Sequence, residues 1–248
     1  DVIIVATNAD VRPAVISRTR DSLALDTSTW IVEKVIAQSL GCLESVCEDL
    51  KGQRAYVNHS RHRQPASVFV KSLMAQVGPP TEIVVTGGKY ELASNSSHFI
   101  ELVRYWTGAQ PVSVDTSGLQ SNWHPSSTRI GFSDVSGVLS VGFSSNIVLT
   151  LDWSGGEPRQ MWRLCTPNGI VTYDETNGDI AVDDRLAAQI PLVDFSDLVV
   201  ATDALGLADR KEVLLPRLTE VMPTHSMLTQ AFAGHRAAVV GDSSGQIP

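Results

Sequence analysis

The sequence predicts two architectures in one chain: a parallel α/β part to about Asn58, then an α+β part with a large open antiparallel sheet. Three observations carry this. Apolar runs at Val2–Ala6, Trp30–Val32 and Ala55–Val57 alternate with helical patterns, the β-α-β order of a parallel sheet with crossover helices. From Pro111 to about Val182, short strand-like runs are separated by turn signals at Asp134–Gly137, Gly155–Gly156, Pro167–Gly169 and Asn177–Gly178. Helical patterns then close the chain. The 248 residues suffice for two domains, 1–58 and 59–248.

The elements follow in order. Val2–Ala6 is a buried-strand run that ends in Thr7, Asn8, Ala9 and Asp10. A central parallel strand needs neighbours on both edges, so the expectation is an N-terminally truncated piece of a longer protein. Pro13 fits the first turn of a helix with Val15 and Ile16 on its apolar side. Trp30–Val32 runs straight into Glu33 and Lys34. Ser39 is placed to cap a helix whose face is Leu40, Leu43, Val46, Cys47 and Leu50, and Lys51–Gly52 ends it. Ala55–Val57 ends at Asn58–His59. A helix from Pro65 to about Gln76 and a strand Glu82–Thr86 come next. The loop Ala93–Ser97 is expected to cap a helix over His98–Thr107, stopped by Gly108. Strands are expected at Val112–Val114, Arg129–Phe132, Val138–Phe143, Ile147–Trp153, Met161–Cys165, Gly169–Tyr173 and Ile180–Val182. Two helices, near Arg210–Val221 and Ser226–Val240, precede a frayed tail, Gly241–Pro248.

Composition narrows the function classes. At 43% hydrophobic and 19% charged residues the chain is an ordinary globular one. A net charge of −8 argues against nucleic acid or an anionic membrane as main partner. No apolar run approaches the ~18 residues that span a bilayer. Cys42, Cys47 and Cys165 lack metal-type clustering and suit a reducing cytoplasm. His59 and His62 flank Arg61 without a carboxylate or Cys cluster, so no metal site is expected. His124, His225 and His235 read as surface or helix-end residues. Four of the five tryptophans read as core or sheet-face packing; Trp123, in a loop beside His124, is the exception.

The chemistry is expected at one edge. The first three strands end in Thr7 and Asn8, in Glu33 and Lys34, and in Asn58 and His59. Right-handed crossovers bring these ends side by side, and ligands of such sheets sit beyond the carboxyl ends of the strands. An acid and an amine there are candidates for chemistry.

These residues carry a resemblance. VIIVAT with Asn8, then VEKVIAQSL, VNHSRHRQP and GGKYELASNSSHFIELVRYWTG, in that order, resemble the Gfo/Idh/MocA family of NAD(P)-dependent oxidoreductases over nearly the whole chain. The resemblance implies the C-terminal part of a Rossmann-like sheet, then the family's substrate-binding and oligomerisation domain. It implies that Lys34 and His98 are catalytic, His98 as general acid/base. It implies that Thr7, Asn8, Glu33 and Lys34 line the NAD or NADP site, and that Arg61, with Asn58 and Asn95, meets the substrate. Removing a hydride and a proton from a secondary alcohol suits a near-neutral imidazole as base and a lysine ammonium that favours the developing alkoxide. Val35 stands where the family has Pro, and Ser94 where it often has an acid. The glycine-rich phosphate loop is absent from these residues. The implied function is hydride transfer between NAD(P) and a hydroxyl or carbonyl of a sugar, sugar nucleotide or cyclitol. The implied partners are a carbohydrate-type substrate and a second copy docked through the antiparallel sheet. The competing reading is a non-catalytic relative acting in assembly or ligand sensing.

Overall fold

Each of the first three strands is a short run of mostly apolar residues joined to the next by a helix, and the structure stacks them in sequence order. This computed structural model describes residues 2–22, 28–88, 91–155, 159–194, 215–242 and 247. Strands β1 (Val2–Val5), β2 (Thr29–Val32) and β3 (Arg54–Val57) pair in parallel in the order β1-β2-β3. Helices α1 (Arg12–Ser22) and α2 (Leu40–Asp49) are the crossovers. Every residue of β2 is buried, as its position between two neighbours requires. Ser39 caps α2 by accepting the Cys42 N–H at 3.3 Å. Ile16, Trp30, Val32, Leu43, Val46 and Val57 form the core of this part.

A 3₁₀ turn, Ser60–Arg63, leads into α3 (Pro65–Val77), β4 (Glu82–Thr86) and α4 (Leu92–Thr107). Strands β5 (Pro111–Asp115), β6 (Leu119–Pro125), β7 (Ser133–Phe143), β8 (Val148–Asp152), β9 (Met161–Thr166), β10 (Gly169–Asp174), β11 (Asp179–Val182) and β12 (Arg185–Gln189) follow. The large sheet runs β12-β11-β10-β9-β4-β8-β7-β5, with β6 also on β7. It is mixed rather than antiparallel throughout: β4 inserts between β9 and β8 and lies parallel to β8. Alternation decides the buried face. Val135, Leu139, Val141, Leu149, Leu151, Trp162 and Leu164 point at α4, while Val138, Ser140, Val148 and Thr150 face away.

Several boundaries differ from those the sequence implies. Arg129–Phe132 is a turn, with Phe132 N bonding Arg129 O; the strand Leu119–Pro125 carries few apolar residues, and the alanines of Arg185–Gln189 have little strand preference. Helix α4 starts at Leu92, so Ala93–Ser97 are helical and His98 sits in its second turn. Serines favour caps, but here packing prevails: Leu92, Ala93, Ser94, Ser96 and Ser97 are all buried. Gly108, left-handed at φ 71°, ends the helix as expected. The closing segment is one helix, α5 (Leu218–Val240), running through Pro223. The part of the first expected closing helix before Leu215 lies outside the described residues. Burial on both sides of Pro223 explains the continuity: Leu218 and Val221 join the first core, Leu228 and Phe232 the second. In the tail, Gln38 Nε2 donates to Ile247 O at 2.5 Å and Ile247 N to Gln38 Oε1 at 2.8 Å. Among the described residues no helix is long and apolar enough to cross a membrane.

Candidate functional site

The carboxyl edge of the β1-β2-β3 sheet faces the N-terminal half of α4, and the expected residues gather there. Lys34, just past β2, donates from Nζ to Ser94 O at 2.8 Å and to Asn95 Oδ1 at 3.0 Å. Asn95 is itself fixed by its Nδ2, which donates to Glu91 O at 2.8 Å. Lys34 thus meets α4 one turn before His98. Its acceptors are neutral; burial, then the positive field of Arg129, lower its pKa to about 8, with Glu33 and Asp134 acting in the opposite direction.

Two backbone devices aim these residues. Asp134, fully buried on β7, accepts the Ala93 N–H at 2.8 Å and the Val135 N–H at 2.6 Å, pinning the first turn of α4 to the large sheet. Burial raises its pKa to about 6. Arg12, also buried, sends its guanidinium into the loop that carries Lys34. It donates to the carbonyls of Glu33, at 2.7 Å, and of Val35 and Thr7. Burial lowers its pKa to about 10. The Lys34–Val35 peptide is cis. Sequence reading missed Arg12. Its signal was a cation in the first turn of a helix, where the dipole disfavours it unless another element uses the charge.

His98 is half-buried. Its Nδ1 lies 3.2 Å from His59 Nδ1, and His59 Nε2 lies 3.2 Å from His225 Nε2. His59 comes from the turn after β3 and His225 from α5, so three elements contribute one row of imidazoles. Burial first, then neighbouring positive groups, hold His59 and His98 well below the usual histidine range and His225 down to about 3. The expectation that His225 is a surface or helix-end residue is corrected: it is 2% exposed. Its spacing with Val221, Leu228 and Phe232 puts it on the apolar stripe of α5, a signal present in the sequence. His62, also buried, stacks on Tyr105 and pairs its Nε2 with Glu101 O at 2.8 Å.

The remaining expected residues divide. Asn58 donates to Glu33 Oε1, tying β3 to the lysine loop. Thr7 supplies its carbonyl to Arg12, and Asn8 is exposed with its carbonyl accepting the Arg12 backbone N–H at 3.0 Å. Arg61 is buried; its guanidinium pairs with the buried Glu175 and lies 4.6 Å over the Phe99 ring. Glu175 also accepts Trp162 Nε1 at 2.9 Å, so much of this arginine's charge is used inside the protein. Trp123 packs on α5 through Phe232 and His235, which accepts its Nε1 at 3.2 Å.

The fit to a dinucleotide can be tested on polar atoms left over. Thr7 Oγ1 and Asn58 Oδ1 are buried without a hydrogen-bond partner among the described residues, both at the carboxyl edge beside Lys34. They suit the sugar–amide end of such a cofactor. The residues present contain no G-x-G-x-x-G turn for its pyrophosphate.

This arrangement of sheets and helices recurs in solved structures. UDP-N-acetylglucosamine 3-dehydrogenase GnnA from Acidithiobacillus ferrooxidans aligns at TM-score 0.71 and 14% identity over 96% of this chain and 80% of its own. The aldose-aldose oxidoreductase from Caulobacter crescentus, complexed with glycerol, aligns at TM-score 0.70 and 14% identity, over 96% and 78%. A super-repressor mutant of Gal80p from Saccharomyces cerevisiae aligns at TM-score 0.69 and 12% identity, over 98% and 80%. No protein-family model and no curated protein matches the sequence. At these identities the likeness is one of fold, and it agrees with the fold class that the sequence motifs implied.

Proposed function

We propose that this protein is an oxidoreductase that transfers a hydride between NAD(P) and a hydroxyl or carbonyl carbon of a sugar, sugar nucleotide or cyclitol. One observation carries the reading: Lys34, from the sheet edge, is bonded to α4 one turn before His98, so an ammonium and an imidazole converge beside orphaned polar atoms. NAD(P), when bound, supplies the hydride acceptor or donor. Thr7, Asn8, Glu33 and Lys34 would hold its sugar–amide end. Lys34, still mostly protonated at neutral pH, polarises the substrate oxygen. His98, held unprotonated, offers a lone pair to the hydroxyl proton. Asn95 and Asn58 orient the substrate hydroxyls. Arg61, engaged with Glu175, contributes positive field toward Lys34 and His98 more than a free fork.

The solved likenesses named a sugar-nucleotide dehydrogenase and an aldose oxidoreductase, which supports a carbohydrate substrate. The outward face of the large sheet, with Val138 and Val148 among Ser140 and Thr150, is the surface we assign to self-association in a cytoplasmic protein. Light scattering at micromolar concentration should give more than a monomer's mass.

The deciding experiment titrates the intact protein with NADH and NADPH by fluorescence or calorimetry. Binding of either is expected, and binding of neither overturns the proposal. Lys34→Met and His98→Asn should each abolish most turnover of a substrate hydroxyl. Cofactor binding with turnover indifferent to both changes would favour the non-catalytic reading, in assembly or ligand sensing.

A further inference from the structure

We propose that His98, His59 and His225 form a directional imidazole relay that carries the proton exchanged at His98 to a cavity beside α5; this rests on the hydride-transfer reading above. Three neutral imidazoles own three N–H groups and three lone pairs. The two contacts at 3.2 Å, Nδ1 to Nδ1 and Nε2 to Nε2, each consume one of both. One N–H and one lone pair remain, and they must lie at opposite ends of the row. The row therefore has two orientations. In the first, His98 presents a lone pair at Nε2 to the substrate and His225 an N–H at Nδ1 to the cavity. In the second, both are reversed.

Passing one proton interconverts them with no charge left inside. The substrate O–H bond breaks as the Nε2–H bond of His98 forms. The Nδ1 proton of His98 moves to His59 Nδ1, the Nε2 proton of His59 moves to His225 Nε2, and the Nδ1 proton of His225 leaves. The reversed row then shows the substrate site an N–H, the donor that carbonyl reduction needs. Neutrality suits the surroundings. His59 and His225 are 0% and 2% exposed, and the cations Lys34, Arg12, Arg61 and Arg104 act on the row together with His62. The nearby carboxylate, Glu101, is taken by Thr224 and by Arg104, each at 2.5 Å. Among the described residues no anion bonds the row to trap an imidazolium.

The far end has an outlet. His225 lines a cavity with Ser97, Gln38, Thr229 and Phe232. Ser97 Oγ is buried there with no partner among the described residues. A hydroxyl that both donates and accepts is the group a proton leaving His225 needs.

The test uses isotope-labelled histidine nitrogens in the full chain and long-range proton–nitrogen correlation spectra, which assign each tautomer without any substrate. At neutral pH the relay requires three neutral rings in one orientation: protons on Nδ1, Nε2 and Nδ1 of His98, His59 and His225, or on Nε2, Nδ1 and Nε2. The variant His225→Phe keeps a ring but removes the outer partner of His59. Both orientations then lose the His59–His225 bond, the first leaving a buried N–H at His59 Nε2 and the second only a lone pair, so the tautomer ratio at His98 should shift by about fivefold toward the second. An unchanged ratio, an imidazolium within the row, or orientations that disagree would overturn the relay. If His225→Phe fails to fold, the wild-type spectrum alone decides between these outcomes. Failure here leaves hydride transfer standing, because that reading is decided by the NADH and NADPH titrations and by turnover of the Lys34 and His98 variants.

Discussion

Replacing Arg12 by Met tests whether a buried guanidinium holds the Lys34 loop. The change keeps most of the side-chain length and removes the donors to the carbonyls of Thr7, Glu33 and Val35. Two effects oppose each other. Burying the cation is unfavourable, and a pKa lowered from 12.5 to about 10 puts that cost on the order of 3 kcal/mol. Against it stand three hydrogen bonds from a charged donor, worth about 1.5–3 kcal/mol each. The bonds win, leaving a net loss of about 1.5–6 kcal/mol on substitution. For a chain of this size each kcal/mol moves the melting temperature by about 2–4 °C. A fall of roughly 3–24 °C in Tm is therefore expected, with the urea m-value unchanged. Arg12→Lys should recover little, since one ammonium cannot span carbonyls on both sides of the loop. A Tm that rises, or moves by less than about 2 °C, would refute the reasoning.

Acid should weaken the fold earlier than carboxylate titration alone would. His62 and His225 have folded pKa values of about 4 and about 3, below the ordinary 6.5. The unfolded chain therefore binds protons that the folded chain refuses as pH falls through 6.5. Stability should drop by about 1.4 kcal/mol per pH unit for each of the two imidazoles between pH 6.5 and 4. Equal urea midpoints at pH 7 and pH 5 would contradict this. Asp134→Ala leaves the buried N–H groups of Ala93 and Val135 unpaired and should lower stability by about 1–3 kcal/mol in urea unfolding. Gly178→Ala puts a Cβ 2.4 Å from Ile190 O at φ 82°, so circular dichroism should show a melting temperature lower by several degrees, about 2–4 °C per kcal/mol of strain.

What the sequence made legible follows from the range of the interactions involved. Ser39, Pro13 and Gly108 act within a turn or two of themselves, and each sits where its local rule placed it. Lys34 was legible because an apolar run ends just before it and strand ends of a parallel sheet gather at one edge. The parallel insertion of β4 beside β8 was not, because Glu82–Thr86 meets Val148–Asp152 across sixty residues of chain and nothing in either run encodes the direction of its partner. His225 was misread because a histidine is weighed by its polarity, whereas its place on the stripe of α5 is what buries it. Arg12 was missed for a related reason: its partners are backbone carbonyls, and its one mark on the sequence is a cation in the first turn of a helix.

The same interactions that build the site also join the two parts of the chain. Lys34 reaches from the small sheet to Ser94 and Asn95 on α4, and His59 stands between His98 of α4 and His225 of α5. Helix α5 itself buries Leu218 and Val221 in one core and Leu228 and Phe232 in the other. The choice of partners for Lys34 then matters chemically. A carboxylate there would hold the ammonium by charge and raise its pKa, leaving less of its field for a substrate oxygen. A peptide carbonyl and an amide fix its position at 2.8 and 3.0 Å without a carboxylate bonded to the charge. A positioned ammonium of this kind beside a neutral imidazole is most strongly stabilised by an oxygen that gains negative charge. Stabilisation of that kind grows as the substrate oxygen moves toward the alkoxide, so it favours the transition state over the bound alcohol.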